Sequence, residues 1–136
     1  MLDVFVVKTS SKNKKSDLLL SSFDFTKCDF YFTDNIEVIN QIPKTNPWYF
    51  VIYDNEILSV DLKAAIPKIF QHGSDPFYIM YRISLNEEGI DTSKMSTAPR
   101  LFECDVVLKN NNLNPDCGIR LDKGNHILDG FIYGLD

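Results

Sequence analysis

The chain has 136 residues, 44% of them apolar and 24% charged, with a formal net charge of −5. That length suits one ordinary domain, 1–136, with a single core. No apolar run approaches the roughly 20 residues of a membrane helix, and the acidic excess argues against a general nucleic-acid binder, which needs clustered Lys and Arg on phosphates.

The opening MLDVFVVKTS places Asp3 where a secretory leader carries basic residues, and its apolar stretch is short. A cytoplasmic protein is expected, or a virion component if the chain is phage-encoded. Eleven Lys against three Arg, with abundant Asn, fit AT-rich coding of the kind common in bacteria and their phages. The basic run SKNKK at 11–15 reads as a solvated loop. Cys28, Cys104 and Cys117 cannot all pair internally and form no C-x-x-C. Cys28 and Cys104, in apolar contexts, read as small core residues. His72 and His126 are too far apart in sequence to suggest a His-rich metal site.

In chain order, LDVFVVKTS predicts a buried strand, with four apolar residues in five positions and β-branched enrichment. DLLLSSF predicts a short helix capped by Ser16. KCDFYFTDN predicts an aromatic strand ending in a turn, after which Asp34 or Asn35 caps a helix over NIEVINQI. Pro43 and Pro47 bracket a loop before WYFVIY, a run with no polar alternation. Such a run predicts a central strand covered on both faces, Trp48, Phe50 and Ile52 on one and Tyr49, Val51 and Tyr53 on the other. ILSVDLKAAIPKIF predicts a helix with Ser59 as N-cap, ended or kinked by Pro67. PFYIMYRIS reads as a strand, EEGIDTSKMSTAP as a polar excursion or mobile loop, and RLFECDVVL as a further strand. NNNLNPDCG is turn-rich, and HILDGFIYG reads as a terminal strand or short helix.

Strands alternating with helices early, then strands, predict an α/β chain: a three-layer sandwich with a mixed sheet whose second half is mostly antiparallel. WYFVIY stops at Asp54-Asn55-Glu56, which puts an acidic cluster at a strand's C-terminal end, where open α/β sheets hold ligands. In a strand Asp54 and Glu56 share a face, so they could coordinate one cation. As structural residues they would cap the following helix. Arg100 reads as the partner of a nearby carboxylate. No P-loop, Rossmann or nucleophile-elbow motif occurs, and a Cys104–His126 pair has no local signature.

The Trp48–Ser59 stretch and the Pro99–Phe102 segment resemble a reduced GT-A glycosyltransferase domain, a family that holds a nucleotide-sugar and its metal through Trp-(apolar)4-Asp-x-Asp-Glu-x-x-Ser. With Trp48, Glu56 and Ser59 in register, the family's two Asp fall on Tyr53 and Asn55, so the Asp-x-Asp motif is degenerate. The resemblance implies Asp34 near the nucleotide. If a slipped motif works, it implies Asp54 and Glu56 on Mn or Mg, with Glu103, Asp105 or Asp129 as bases. Asn55 is a poor ligand for a hard cation, and the acceptor half looks truncated.

Two functions follow from this reading. The first is a non-catalytic GT-A-like module, a pseudoenzyme serving as a structural or assembly part, for example in a phage virion. It would bind a protein partner, a second copy of itself or a saccharide, and need no cofactor. The alternative is a small metal-dependent glycosyltransferase using a sugar nucleotide.

Overall fold

Six consecutive buried residues, Leu2–Val7, form β1, and the rest of the sheet assembles on both sides of it. The computed structural model describes residues 1–116, 126, 127 and 129–136. Strands β1, β2 (Cys28–Thr33), β3 (Trp48–Tyr53), β4 (Glu56–Leu58), β5 (Phe77–Asn86), β6 (Gly89–Glu103) and β7 (Ile132–Leu135) share one sheet in the order β2-β1-β3-β6-β5-β7-β4. β1 pairs in parallel with β2 and β3, whereas β3–β6, β5–β6 and β4–β7 are antiparallel and β5–β7 is parallel.

The three-layer GT-A-like sandwich is not what forms. Strand takes 42% of the described residues and helix 20%, and the sheet curls into a mixed half-barrel. The cause is the placement of the helices. Helices α1 (Ser16–Ser21) and α2 (Val60–His72) both send their buried residues, Leu19, Leu62 and Ile66, into the same core with Val4, Val6, Phe50 and Ile52. The other face, with Phe5, Val7, Tyr49 and Val51, is covered by a 3-10 helix, Ile36–Gln41, and by Val106, Leu108 and Leu113. A sheet with helices mainly on one side curls around them instead of lying flat between two helical layers.

β3 is central, and its faces divide as its pattern predicts. Trp48, Phe50 and Ile52 join the α1/α2 core, while Tyr49, Val51 and Tyr53 join the other. Full burial of a residue such as Phe50 contributes about 1.5–3 kcal/mol.

Past β3 the chain does something the sequence reading missed. Asp54-Asn55 is a tight turn, and Glu56–Leu58 is a strand, not the start of a helix. β4 then pairs with β7 at the far end of the sheet. Strands β3, β6, β5, β7 and β4 therefore form a circuit closed by the covalent corner at 54–55. The corner begins where β3 and β6 part, since their ladder ends at Phe50–Leu101. Pro99, two residues along β6, has no N–H with which to continue it.

Other departures are local. Ser59 caps α2, accepting from Leu62 N at 3.2 Å, so Asp54 and Glu56 are not its caps. Pro67 sits inside α2 without ending it. Ser16 is the first residue of α1 and makes no capping bond. Asn35 does cap the 3-10 helix. The polar run at 87–99 is mostly strand: β5 turns at Glu87-Glu88 into β6, with Gly89 at φ +110. Cys104 is exposed rather than buried in the core, and Cys28 is half-buried. Residues 110–116 of the turn-rich NNNLNPDCG form turns and bends with one isolated bridge, while Cys117 and Gly118 lie outside the described residues. Among the described residues no helix is long and apolar enough to cross a membrane.

Candidate functional site

The parallel strands β2, β1 and β3 end together at Thr33, Val7 and Tyr53. The β1–β2 connection carries α1 and the β2–β3 connection carries the 3-10 helix, which pack on opposite faces. Such a reversal leaves a crevice at the C-terminal strand ends. Here it is a cavity of about 260 Å³ lined by Val6, Lys8, Lys14, Phe32, Thr33, Asp34 and Asp54. Asp34 and Asp54, both singled out from sequence, therefore share one crevice. Asp34 is exposed on its rim.

Asp54 is held by the loop after β1. Its Oδ1 accepts from Thr9 N at 3.2 Å and Thr9 Oγ1 at 2.5 Å, and its Oδ2 meets Lys14 Nζ at 2.9 Å. Burial opposes ionisation, but the Thr9 hydroxyl and amide and the Lys14 ammonium outweigh it, holding the carboxyl below its ordinary range. The basic run at 11–15 thus includes one residue with a structural task.

Glu56 points elsewhere. Its side chain is fully buried and belongs to the corner between β3, β6 and β5. Oε1 accepts from Tyr53 N at 2.8 Å and Arg100 Nη1 at 2.7 Å; Oε2 accepts from Arg100 Nη2 at 2.9 Å and Arg82 Nε at 2.6 Å. Arg100 also donates to Val51 O at 3.2 Å, filling the gap where the β3–β6 ladder stops, and lies over the Tyr53 ring. Arg82 continues to Asp136, donating from Nη2 at 3.0 Å. Desolvation disfavours the Glu56 anion, yet the Arg100 charge and the converging donors win and lower its pKa. Asp136 is lowered chiefly by its hydrogen bond from Arg82. Each lone pair of Glu56 that a cation would need is already engaged by a donor.

Asp54 and Glu56 are thus separated by function. One anchors a loop at the crevice, and the other binds the buried Arg100 guanidinium and that of part-exposed Arg82, which it shares with Asp136. Asn55 is buried in the turn, and its carbonyl accepts from Leu135 N at 2.8 Å. No group of three His, Cys, Asp or Glu side chains suited to a metal occurs among the described residues.

The proposed bases do not join this crevice. Asp105 is exposed in the turn after β6, next to Cys104, whose N–H bonds Pro47 O at the start of β3. That is the opposite end of β3 from Asp54, about 20 Å away at the rise of an extended strand. Glu103 pairs with Trp48 in the sheet at the same end. Asp129 is exposed beside Asp61 and Lys68, near the N-terminus of α2.

Several anchoring residues escaped the sequence reading. Asp3, fully buried, accepts from Thr45 N and Oγ1 and from Asn46 N and Nδ2, at 2.7–3.2 Å, and pins the 43–47 loop. Its signal was available: a carboxylate within LDVFVV must be paired if it is buried. Arg82 within FYIMYRIS carried the same signal. No family model, no curated protein and no solved structure matches the chain.

Proposed function

We propose that this chain is a non-catalytic module, a structural or assembly component that works by binding another protein chain. The observation that carries the reading is the commitment of Glu56. The acidic residue aligned with the metal-binding motif is spent on Arg100, Arg82 and the Tyr53 amide, so it serves as a bolt for the β3–β4 corner. Leaving-group chemistry on a sugar nucleotide needs a cation at the diphosphate. Asp54 alone, tied to Thr9 and Lys14, is a poor seat for one. The separation of Asp105 and Asp129 from the crevice supports the same reading, because a base must lie within hydrogen-bond reach of its proton.

The test is thermal unfolding with a panel of sugar nucleotides, each with and without Mn²⁺ or Mg²⁺. No shift is expected. A ligand at a hundred times its dissociation constant would add about 2.7 kcal/mol, and a metal-dependent rise of that size contradicts the proposal.

A further inference from the structure

We propose that β2 is the docking edge for a second copy of this chain, the two β2 strands pairing antiparallel about a two-fold axis centred on Phe30. This names the partner in the binding reading above.

Among the described residues β2 ends the sheet and pairs only with β1. Leu2 N donates to Lys27 O at 3.0 Å and Lys8 N to Thr33 O at 2.9 Å. In a parallel ladder both main-chain groups of a residue point the same way. The odd-numbered residues therefore face β1, and Cys28, Phe30 and Phe32 turn their N–H and C=O groups outward. Among the described residues no other strand pairs with that side. The edge is lightly defended: Cys28–Thr33 contains no Pro and no Lys, its one charge is Asp29, and its register with β1 runs without a bulge. Phe32 stands 70% exposed at its end. Outward N–H and C=O groups in a row accept an extended strand.

The geometry favours a second copy as that strand. A two-fold axis relating antiparallel edge strands must run perpendicular to the sheet, so each residue keeps its face and even positions oppose even positions. The outward groups of β2 all lie on even positions. Centring on Phe30 sets Cys28 against the partner's Phe32 and Phe30 against the partner's Phe30, engaging all three outward residues of both chains. On one face Phe32, Phe30 and their two symmetry mates then form a continuous aromatic row that covers the exposed ring. On the other face no like charges are directly opposed: Lys27 meets the partner's Thr33 and Asp29 the partner's Tyr31. The two Asp29 carboxylates come diagonal to each other, and Lys27, two residues along the same face, offsets them.

Analytical ultracentrifugation of the intact chain tests this. A concentration-dependent species of twice 15.6 kDa is expected. Phe32→Pro, which removes an outward N–H without a ladder partner among the described residues, and Phe32→Lys, a gatekeeper on the same edge, are each expected to give a monomer with an unchanged circular dichroism spectrum. Two variants are used so that one misfolded protein does not decide the matter. A wild-type monomer throughout the micromolar range overturns the proposal, including the case in which an unrelated strand peptide binds the edge. So does a dimer that survives in the folded variants. A nucleotide-induced shift would remove the non-catalytic reading and leave a dimer standing, whereas a monomer would do the reverse.

Discussion

Glu56 and Arg100 meet in a two-pronged ion pair, Oε1 to Nη1 at 2.7 Å and Oε2 to Nη2 at 2.9 Å, with both side chains essentially shielded from solvent. Removing one member of such a pair strands a buried charge, which typically costs about 3–5 kcal/mol. Glu56→Ala should therefore lower the unfolding free energy by about that amount in urea titrations. Replacing Glu56 and Arg100 together by Leu and Met should cost less than Glu56→Ala alone. Equal or greater loss in the double variant would mean that Arg100 contributes by packing and not through its charge.

Acid should weaken the fold. Glu56, Asp54 and Asp136 all have folded pKa values below their ordinary ones. A carboxylate depressed on folding contributes stability that is complete above its unfolded pKa, about 4. That stability is lost as pH falls through the depressed folded value. Denaturation midpoints measured from neutral pH downward should fall below about pH 4–5, and the fall should be shallower in Asp54→Asn. A midpoint that is flat or rises in that range would contradict the assignment.

Gly134 lies where Arg82 crosses β7, and a Cβ placed there would land on the Arg82 guanidinium. Gly134→Ala should cost about 1–3 kcal/mol, as overpacking does. The cost should shrink in an Arg82→Ala background, because residues in contact are not additive. A double-mutant cycle by chemical denaturation measures it, and strict additivity would remove the contact.

Ser59 has two tasks at the start of α2. Its Oγ accepts from Leu62 N at 3.2 Å and from Phe131 N at 2.9 Å, tying the helix to the segment that leads into β7. Ser59→Ala should cost about 1–2 kcal/mol, toward the upper end for a lost cap. Hydrogen exchange should quicken at both Leu62 and Phe131. Quickening at Leu62 alone would separate the two tasks.

Much of the local structure was legible in the sequence, and the long-range closure was not. The unbroken apolar run of β3 announced a strand covered on both faces, Ser59 announced its cap, the 3-10 cap was narrowed to Asp34 or Asn35, and Arg100 announced a structural pair. β4 was hidden because Glu56-Ile57-Leu58 has only three residues and leads straight into a helical pattern. The first part of β6 was hidden because its residues up to Thr97 are mostly exposed, so no apolar period marks them. The Glu56 network joins partners 26 and 44 residues away, a distance over which sequence pattern carries no pairing information. The crevice was half legible: Asp34 and Asp54 were named, while the roles of Thr9 and Lys14 depend on how the loop after β1 folds back.

The acidic corner after β3 is structural, and the proposed non-catalytic role rests on it. Paramagnetic Mn²⁺ titrated into the folded protein, with amide resonances followed by NMR, tests it most directly. No selective broadening of residues 53–58 is expected, since Glu56 is already engaged by two guanidinia and Asp54 by Thr9 and Lys14. Selective broadening there, abolished by Asp54→Asn, would contradict it.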